Sequence, residues 1–143
     1  GKDTVPELLV RSLLHRMGYR FRLHRKDLPG RPDIVLPRYN TVIFVHGCFW
    51  HRHRNCRLAY TPKTRRIFWE SKLTGNVLRD RRNRTALRKA GWNVLVIWEC
   101  ESRSAEKLRK VIVKFFCQEN SKQTQDLTTS VSLTRLSFPD SVT

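Results

Sequence analysis

Leu28-Pro29-Gly30-Arg31-Pro32-Asp33-Ile34-Val35-Leu36, followed closely by Thr41-Val42-Ile43-Phe44-Val45-His46, decides the architecture. The first stretch opens as a Pro/Gly turn, leaves it as a strand at Asp33 and is stopped by Pro37. The second is a nearly continuous apolar run, as expected of a central strand buried on both faces. Upstream, Thr4, Pro6 and Glu7 start a helix: Thr4 and Glu7 fit the S/T-x-x-E capping box, and proline is tolerated in the first turn. Leu9, Leu13, Leu14 and Met17 follow at helical spacing, and Gly18 ends the run. Tyr19, Phe21 and Leu23 then alternate with Arg20, Arg22 and His24, which predicts a short strand with one wet, basic face. Downstream, residues 64–90 predict one helix broken near Gly75, or two helices, with Gly91 as the stop. Residues 92–98 (WNVLVIW) predict a fourth strand, apolar on both faces and therefore buried. Ser104 to about Glu119 predicts a last amphipathic helix with Leu108, Val111, Ile112, Phe115 and Phe116 on its core side. The order helix, three strands, helices, strand, helix implies an α/β domain, with a mixed sheet of four or more strands and helices on both faces.

The chain has 143 residues, about one domain, and needs no disulfides to bury a core. No apolar run approaches the roughly 18–20 residues that span a bilayer. The N-terminal GKDTVPELLV lacks the apolar region of a secretory signal, so a cytoplasmic location is expected. Twenty-nine Lys and Arg against 12 Asp and Glu give a net charge of +17, with a pI near 10.9. Such an excess costs stability by self-repulsion, and a polyanion is the usual compensation. The arginines are spread along the chain and do not line one amphipathic helix, which disfavours a membrane surface. Residues 121–143 carry Lys122 and Arg135 against Asp126 and Asp140, so the whole +17 sits in residues 1–120. Those last 23 positions hold 10 Ser and Thr and read as a polar C-terminal tail, mobile or loosely docked, following a domain of residues 1–120.

Four groups of residues carry chemistry. Asp33 is a carboxylate starting a strand after a Pro turn, held at the sheet end where a hard divalent cation takes oxygen ligands; Mg2+ there keeps waters and an open face for a phosphate. Glu7, His46 and His51 accompany it. On its own the Pro32-Asp33 pair also reads as a turn aspartate. It resembles the opening of the PD-(D/E)xK nuclease superfamily, although Phe44-Val45-His46 stands where Glu-x-Lys is expected. Four cysteines without a signal peptide favour metal ligation over disulfides. Cys48, His53, Cys56 and Cys100 make a Cys3His set for tetrahedral zinc, which would fix an irregular loop at 46–60 that has no periodic core face. Buried free thiols are the alternative, and Cys117 reads as core packing. Phe49 and Trp50, with Trp69 further on, are aromatics in basic surroundings that can stack on bases or wedge between them; packing under the loop is the alternative, and for Trp69 the helix core. Arg79, Arg81 and Arg82, with Arg84, Arg88 and Lys89, suit phosphate contacts that position a duplex, or form a solvated face with intrahelical pairs to Asp80.

Together LPGRPDIV, VIFVHGCFWH, FWESKLTGNVLRDRRN and GWNVLVIWECE resemble the very-short-patch-repair (Vsr-type) DNA mismatch endonucleases, from about Asp3 to Glu101. The resemblance implies a restriction-endonuclease-like α/β core with a mixed central sheet flanked by helices and a structural zinc. It implies nicking of one strand of double-stranded DNA beside the thymine of a T:G mismatch left by deamination of 5-methylcytosine, by a monomer acting in the bacterial cytoplasm on the nucleoid. Catalytic roles fall on Asp33, His51, Glu7 and His46. Magnesium would be held by Asp33 and the backbone carbonyl of Val45, where some members have Thr. Zinc ligands fall on Cys48, His53, Cys56 and Cys100, and the base wedge on Phe49 and Trp50. The segment 51–56 is one residue longer than in some relatives, which bears on His53, and the family's DNA-clamping arm would precede Gly1. The expected mechanism is in-line attack of water, with Mg2+ held by Asp33, His51 moving a proton or orienting the water, and Glu7 acting from behind. A same-fold nuclease that cuts matched DNA, as a restriction enzyme does, is the alternative, and a non-catalytic zinc-stabilised DNA-binding module the third. Intact Asp33 and His51 argue against the third.

Overall fold

The computed structural model describes residues 2–134, with side chains through residue 129. Its elements are α1 (Val5–Arg16), β1 (Arg22–Leu23), β2 (Ile34–Leu36), a 3-10 turn (Pro37–Tyr39), β3 (Thr41–His46), α2 (Arg66–Lys89), β4 (Asn93–Trp98), α3 (Glu99–Ser102) and α4 (Ala105–Thr134). The four strands form one mixed sheet in the order β1-β2-β3-β4. β1, β2 and β3 are antiparallel neighbours, and β3 runs parallel to β4, the long α2 making the crossover that a parallel pair requires. β3 is internal, as its apolar run implies.

Alternation divides the sheet into two faces. Val35, Val42 and Phe44 join Leu87 of α2 in one buried cluster, with Leu28, Trp92, Val94 and Val96 packed against it. Ile34, Ile43, Leu95 and Ile97 are buried on the opposite face. β4 therefore uses both faces, as WNVLVIW predicts, yet it is an edge strand and only Leu95 and Ile97 are fully buried. Apolar residues on both faces mean that both faces are covered; they do not place the strand inside the sheet.

Other expectations are corrected in detail. Thr4 caps α1 by accepting the N–H of Glu7, but the Glu7 carboxylate takes the N–H of Asp3 at 3.0 Å. The buried apolar face is Val10, Leu13 and Leu14, while Leu9 is largely exposed. β1 shrinks to two exposed residues, because its partner β2 has only three, bounded by Pro32 and Pro37. α2 runs unbroken through Gly75: one glycine costs a helix only about 1 kcal/mol, and buried Leu73 and Leu87 pin both halves. Along α4, Leu108, Ile112 and Phe116 recur every fourth residue and are buried, but Val113 and Cys117 one position on are exposed. Val111 and Phe115 of the expected core side are half-buried, and Cys117, expected to pack in the core, is not core. The chain divides into compact units at 109/110. α4 continues as helix across position 120 to Thr134, with exposed side chains from 121 to 129. Residues 135–143 of the expected tail lie outside the described residues. Among those described, no helix is long and apolar enough to cross a membrane.

Candidate active site

A cleft of about 550 Å³ opens at the C-terminal end of β3, lined among others by Glu7, Asp33, Val45, His46, His51 and Asp80. Asp33 leaves the 28–32 turn just before β2, and its Oδ2 accepts the backbone N–H of Val45 at 2.7 Å. The turn is fixed from the other side: Gly30, at φ +72°, lies so close to Asn83 of α2 that an added Cβ would stand 2.9 Å from its side chain. Only glycine satisfies both the backbone angle and that approach. Burial raises the Asp33 carboxyl to about 6, and the Glu7 charge adds to the rise against the Val45 N–H. Glu7 is itself buried in α1 and paired with Arg11 at 3.2 Å, and its charge acts on Asp33 as a second negative one.

His46 ends β3, and His51 comes off the turn that follows. Their rings stack at 3.8 Å and 5°. Burial, followed by the charge of His51, pushes His46 down to about 3, so it is a neutral plate against His51. The Nδ1 of His51 lies 2.6 Å from Asp80 Oδ2. Burial pulls the Asp80 carboxyl upward, but the hydrogen bond and charge of His51 outweigh it and leave Asp80 below the ordinary carboxylate range. An ionised Asp80 accepts from Nδ1–H, which leaves Nε2 as the free, basic nitrogen. In sequence, Asp80 reads only as a charge pairing within a solvated arginine run. The signal was there: Leu73, Asp80 and Leu87 are spaced by seven, and both leucines are buried, so Asp80 lies on the inner face of α2.

The four expected zinc donors converge. Cys48, His53, Cys56 and Cys100 offer ligand atoms all within 4.8 Å of one another. His53 Nδ1 lies 3.6 Å from Cys48 Sγ and 3.4 Å from Cys100 Sγ. Zinc bonds of about 2.3 Å to sulfur and about 2.0 Å to nitrogen, at tetrahedral angles, put those two atoms about 3.5 Å apart, so the donor set fits that ion. No cysteine is in a disulfide among those described. Burial pushes the Cys48 thiol up to about 12 and raises Cys100, whereas the Leu58 N–H holds Cys56 down. For Mg2+ the fit is a half-buried carboxylate, Asp33, whose Oδ2 is held by the Val45 N–H, beside a second carboxylate, Glu7. Trp98, at the end of β4, joins the two centres. Its ring stacks on His53 at 4.2 Å and meets His46 edge-on at 5.4 Å.

Phe49 is half-buried among Trp50, Tyr60 and Trp69, whose ring centroids lie 5.1–5.5 Å from its own. Trp50 is 47 % exposed at the rim of the cleft. Its carbonyl accepts from Asn76 at 3.0 Å, and Arg52 donates to Thr74 at 3.3 Å, which tie the loop to α2. Trp69 is the half-buried floor of this cluster. Arg79, Arg81 and Arg82 are exposed on α2.

The chain is similar to known proteins in sequence and in fold. The family model described as DNA mismatch endonuclease Vsr matches residues 1–58. The type II nicking enzyme V.XorIIP of Xanthomonas oryzae is 58 % identical over 71 % of this chain and 74 % of its own. The DNA mismatch endonuclease Vsr of Escherichia coli is 50 % identical over 75 % of this chain and 68 % of its own. The catalytic domain of the homing endonuclease I-Bth0305I aligns over 82 % of this chain and 98 % of its own, with a TM-score of 0.57 and 22 % identity, a likeness of fold. On the strength of these two relatives, this chain belongs to the Vsr family of DNA endonucleases.

Proposed function

We propose that the chain is a Mg2+-dependent endonuclease that nicks one strand of double-stranded DNA beside the thymine of a T:G mismatch, initiating very short patch repair. The observation that carries this reading is the meeting of Asp33, His46 and the His51–Asp80 pair in one cleft with an exposed tryptophan at its rim. Asp33 and the backbone carbonyl of Val45 would hold the Mg2+. That ion, when bound, supplies neutralisation of charge on the phosphate and leaving oxygen. The protein does the rest. Asp80 holds His51 in one tautomer and orientation; His46 stacks beneath the ring and blocks its tilt. Nε2 of His51 then takes a proton from the attacking water. Zn2+ on Cys48, His53, Cys56 and Cys100 would fix the loop that carries His51 and Trp50.

The test is a strand-labelled duplex incubated with Mg2+, comparing T:G with matched DNA. One product band on one strand of the T:G duplex supports the reading; equal cutting of matched DNA selects the restriction-type alternative. His51→Ala should slow single-turnover cleavage by about 10²–10⁴-fold, the range for a general acid–base group. Asp80→Asn should slow it less, because the imidazole remains but loses its charged partner. A loss confined to DNA affinity would make His51 a phosphate contact.

Trp50 is the clean probe of the wedge, since Phe49 also supports the aromatic cluster. Trp50→Ala should weaken binding to T:G duplexes by about 1–3 kcal/mol, the worth of one base–aromatic stack, and weaken binding to matched DNA less, because a wobble pair is easier to unstack. Equal losses on both duplexes would assign Trp50 to the fold. Charge removal at Arg79, Arg81 and Arg82 should instead weaken every duplex alike and flatten the salt dependence, by about one unit of slope per lost phosphate contact.

A further inference from the structure

We propose that Arg84 binds a non-bridging oxygen of the DNA phosphate that is cut, and is thus a catalytic residue of this cleft. The proposal rests on the nuclease reading above and adds the group that meets the substrate's negative charge from the α2 side. Arg79, Arg81 and Arg82 are exposed, but Arg84 is half-buried and lines the cleft with Asp33, His46 and His51. Its position follows from the helix: it stands one turn beyond Asp80 and three residues before buried Leu87, on the inward side.

The Nε of Arg84 is buried without a hydrogen-bond partner, and among the described residues no carboxylate forms an ion pair with its guanidinium. Arg11 offers the contrast. Its Nε is also unpartnered, but its terminal nitrogens are tied to Asp3 at 2.7 Å and to Glu7 at 3.2 Å, so it serves the fold. The nearest acid on α2, Asp80, is engaged by His51 at 2.6 Å. The charge of Arg84 helps hold the Asp80 carboxyl low, but at a distance and not in a contact pair; a half-buried guanidinium with no contacting counter-ion costs stability, and a ligand anion reduces that cost. The anion is a phosphodiester, because the planar fork matches two phosphate oxygens and the cleft already holds Asp33 and His51. Asn83, adjacent to Arg84, packs on Gly30 and so fixes the turn that presents Asp33. Arg84 and the carboxylate are therefore held in one frame. Negative charge grows on the non-bridging oxygens as water attacks, so this contact strengthens along the reaction.

The experiment compares wild type with Arg84→Met and Arg84→Lys on a T:G duplex whose cleaved phosphate has been mapped. In single-turnover nicking with Mg2+, Arg84→Met should be slower by about 10²-fold, the usual loss for one donor to a developing oxyanion, and Arg84→Lys should recover part of it. Binding is then measured with Ca2+ in place of Mg2+, on duplexes carrying one uncharged methylphosphonate. At the cleaved position this should cost wild type about tenfold in affinity and Arg84→Met almost nothing; at the flanking phosphates it should cost both equally. Additive losses at the cleaved position, or a wild-type nicking rate in Arg84→Met, overturn the proposal while leaving the nuclease reading intact. If Arg84→Met fails to bind DNA, the same cycle with Arg84→Lys decides. A wild-type protein that nicks neither T:G nor matched duplex removes the nuclease reading and this proposal together.

Discussion

Asp33→Asn should abolish nicking, by about 10³-fold or more, while the protein still binds DNA. Among the cleft's acids Glu7 and Asp80 are paired with Arg11 and His51, whereas Asp33 meets only the Val45 N–H, and neutralisation of phosphoryl charge by a bound ion is worth several kcal/mol, which at 1.4 kcal/mol per decade gives that factor. Asparagine is the informative replacement. Its carbonyl keeps an acceptor for the Val45 N–H, now 2.7 Å from Asp33 Oδ2, whereas alanine would leave that donor unsatisfied at a further cost of about 1–3 kcal/mol. Because burial holds Asp33 near 6, protons and Mg2+ compete there. The concentration of Mg2+ giving half-maximal rate should rise about tenfold between pH 7 and pH 5 as the carboxylate protonates. The stability effect has the opposite sign: the folded carboxyl binds its proton more readily than the unfolded one, so this group's penalty on the fold is relieved as pH falls through about 6 toward 4. Near-normal Mg2+-dependent turnover by Asp33→Asn would sink the active-site assignment.

Loss of the Cys3His cluster should be the other large effect. Wild-type protein should carry about one equivalent of zinc, and Cys48→Ser or Cys100→Ser should carry little. Structural zinc contributes apparent free energies of about 10–16 kcal/mol in small zinc modules at neutral pH; here the sheet has its own core, so part of that loss falls locally on the loop at 46–60. Protease cleavage within this loop should rise in step with zinc loss. Nicking should fall too, because Cys48 and His51 sit on the same tight turn, closed by the His51 N–H to Gly47 carbonyl bond at 3.1 Å. Purified wild-type protein without zinc would show that the cluster is only a group of thiols.

The sequence was most readable where one residue type permits one physical role. The β3 run is such a case, a strand covered on both faces; Pro32-Asp33 and the Cys48–Cys56 spacing are not, since alone they also read as a turn aspartate and as free thiols, and they point to one site only together with the 45–51 block. It was least readable where neighbours disguise a residue. Asp80 lies inside Arg79-Asp80-Arg81-Arg82, and only its seven-residue spacing from Leu73 and Leu87 separates it from a solvated charge. Arg84 reads in sequence as one of several phosphate-contacting arginines, and nothing there separates it from exposed Arg79, Arg81 and Arg82. The edge position of β4 was invisible because helix coverage, which sets side-chain polarity, says nothing about which strands lie beside it. Cys117 lies one position past buried Phe116, on the side of the stripe away from half-buried Phe115, and so faces outward.

The parallel pairing of β3 with β4 has a consequence for how the molecule assembles. The last matched pair is His46 with Trp98, and Cys48 and Cys100 each lie two positions beyond it. The ladder and the metal cluster thus close the same long loop of chain. The entropy of closing it is spent once: whichever forms first makes the other an intramolecular event with almost no search. β1, β2 and β3 can collapse early as local antiparallel neighbours, but β4 must be delivered across α2, a long-range contact of the kind that slows folding. Zinc supplied during refolding should therefore shorten the search, and a chain made without it exposes three thiols to wrong partners for as long as β4 remains undocked.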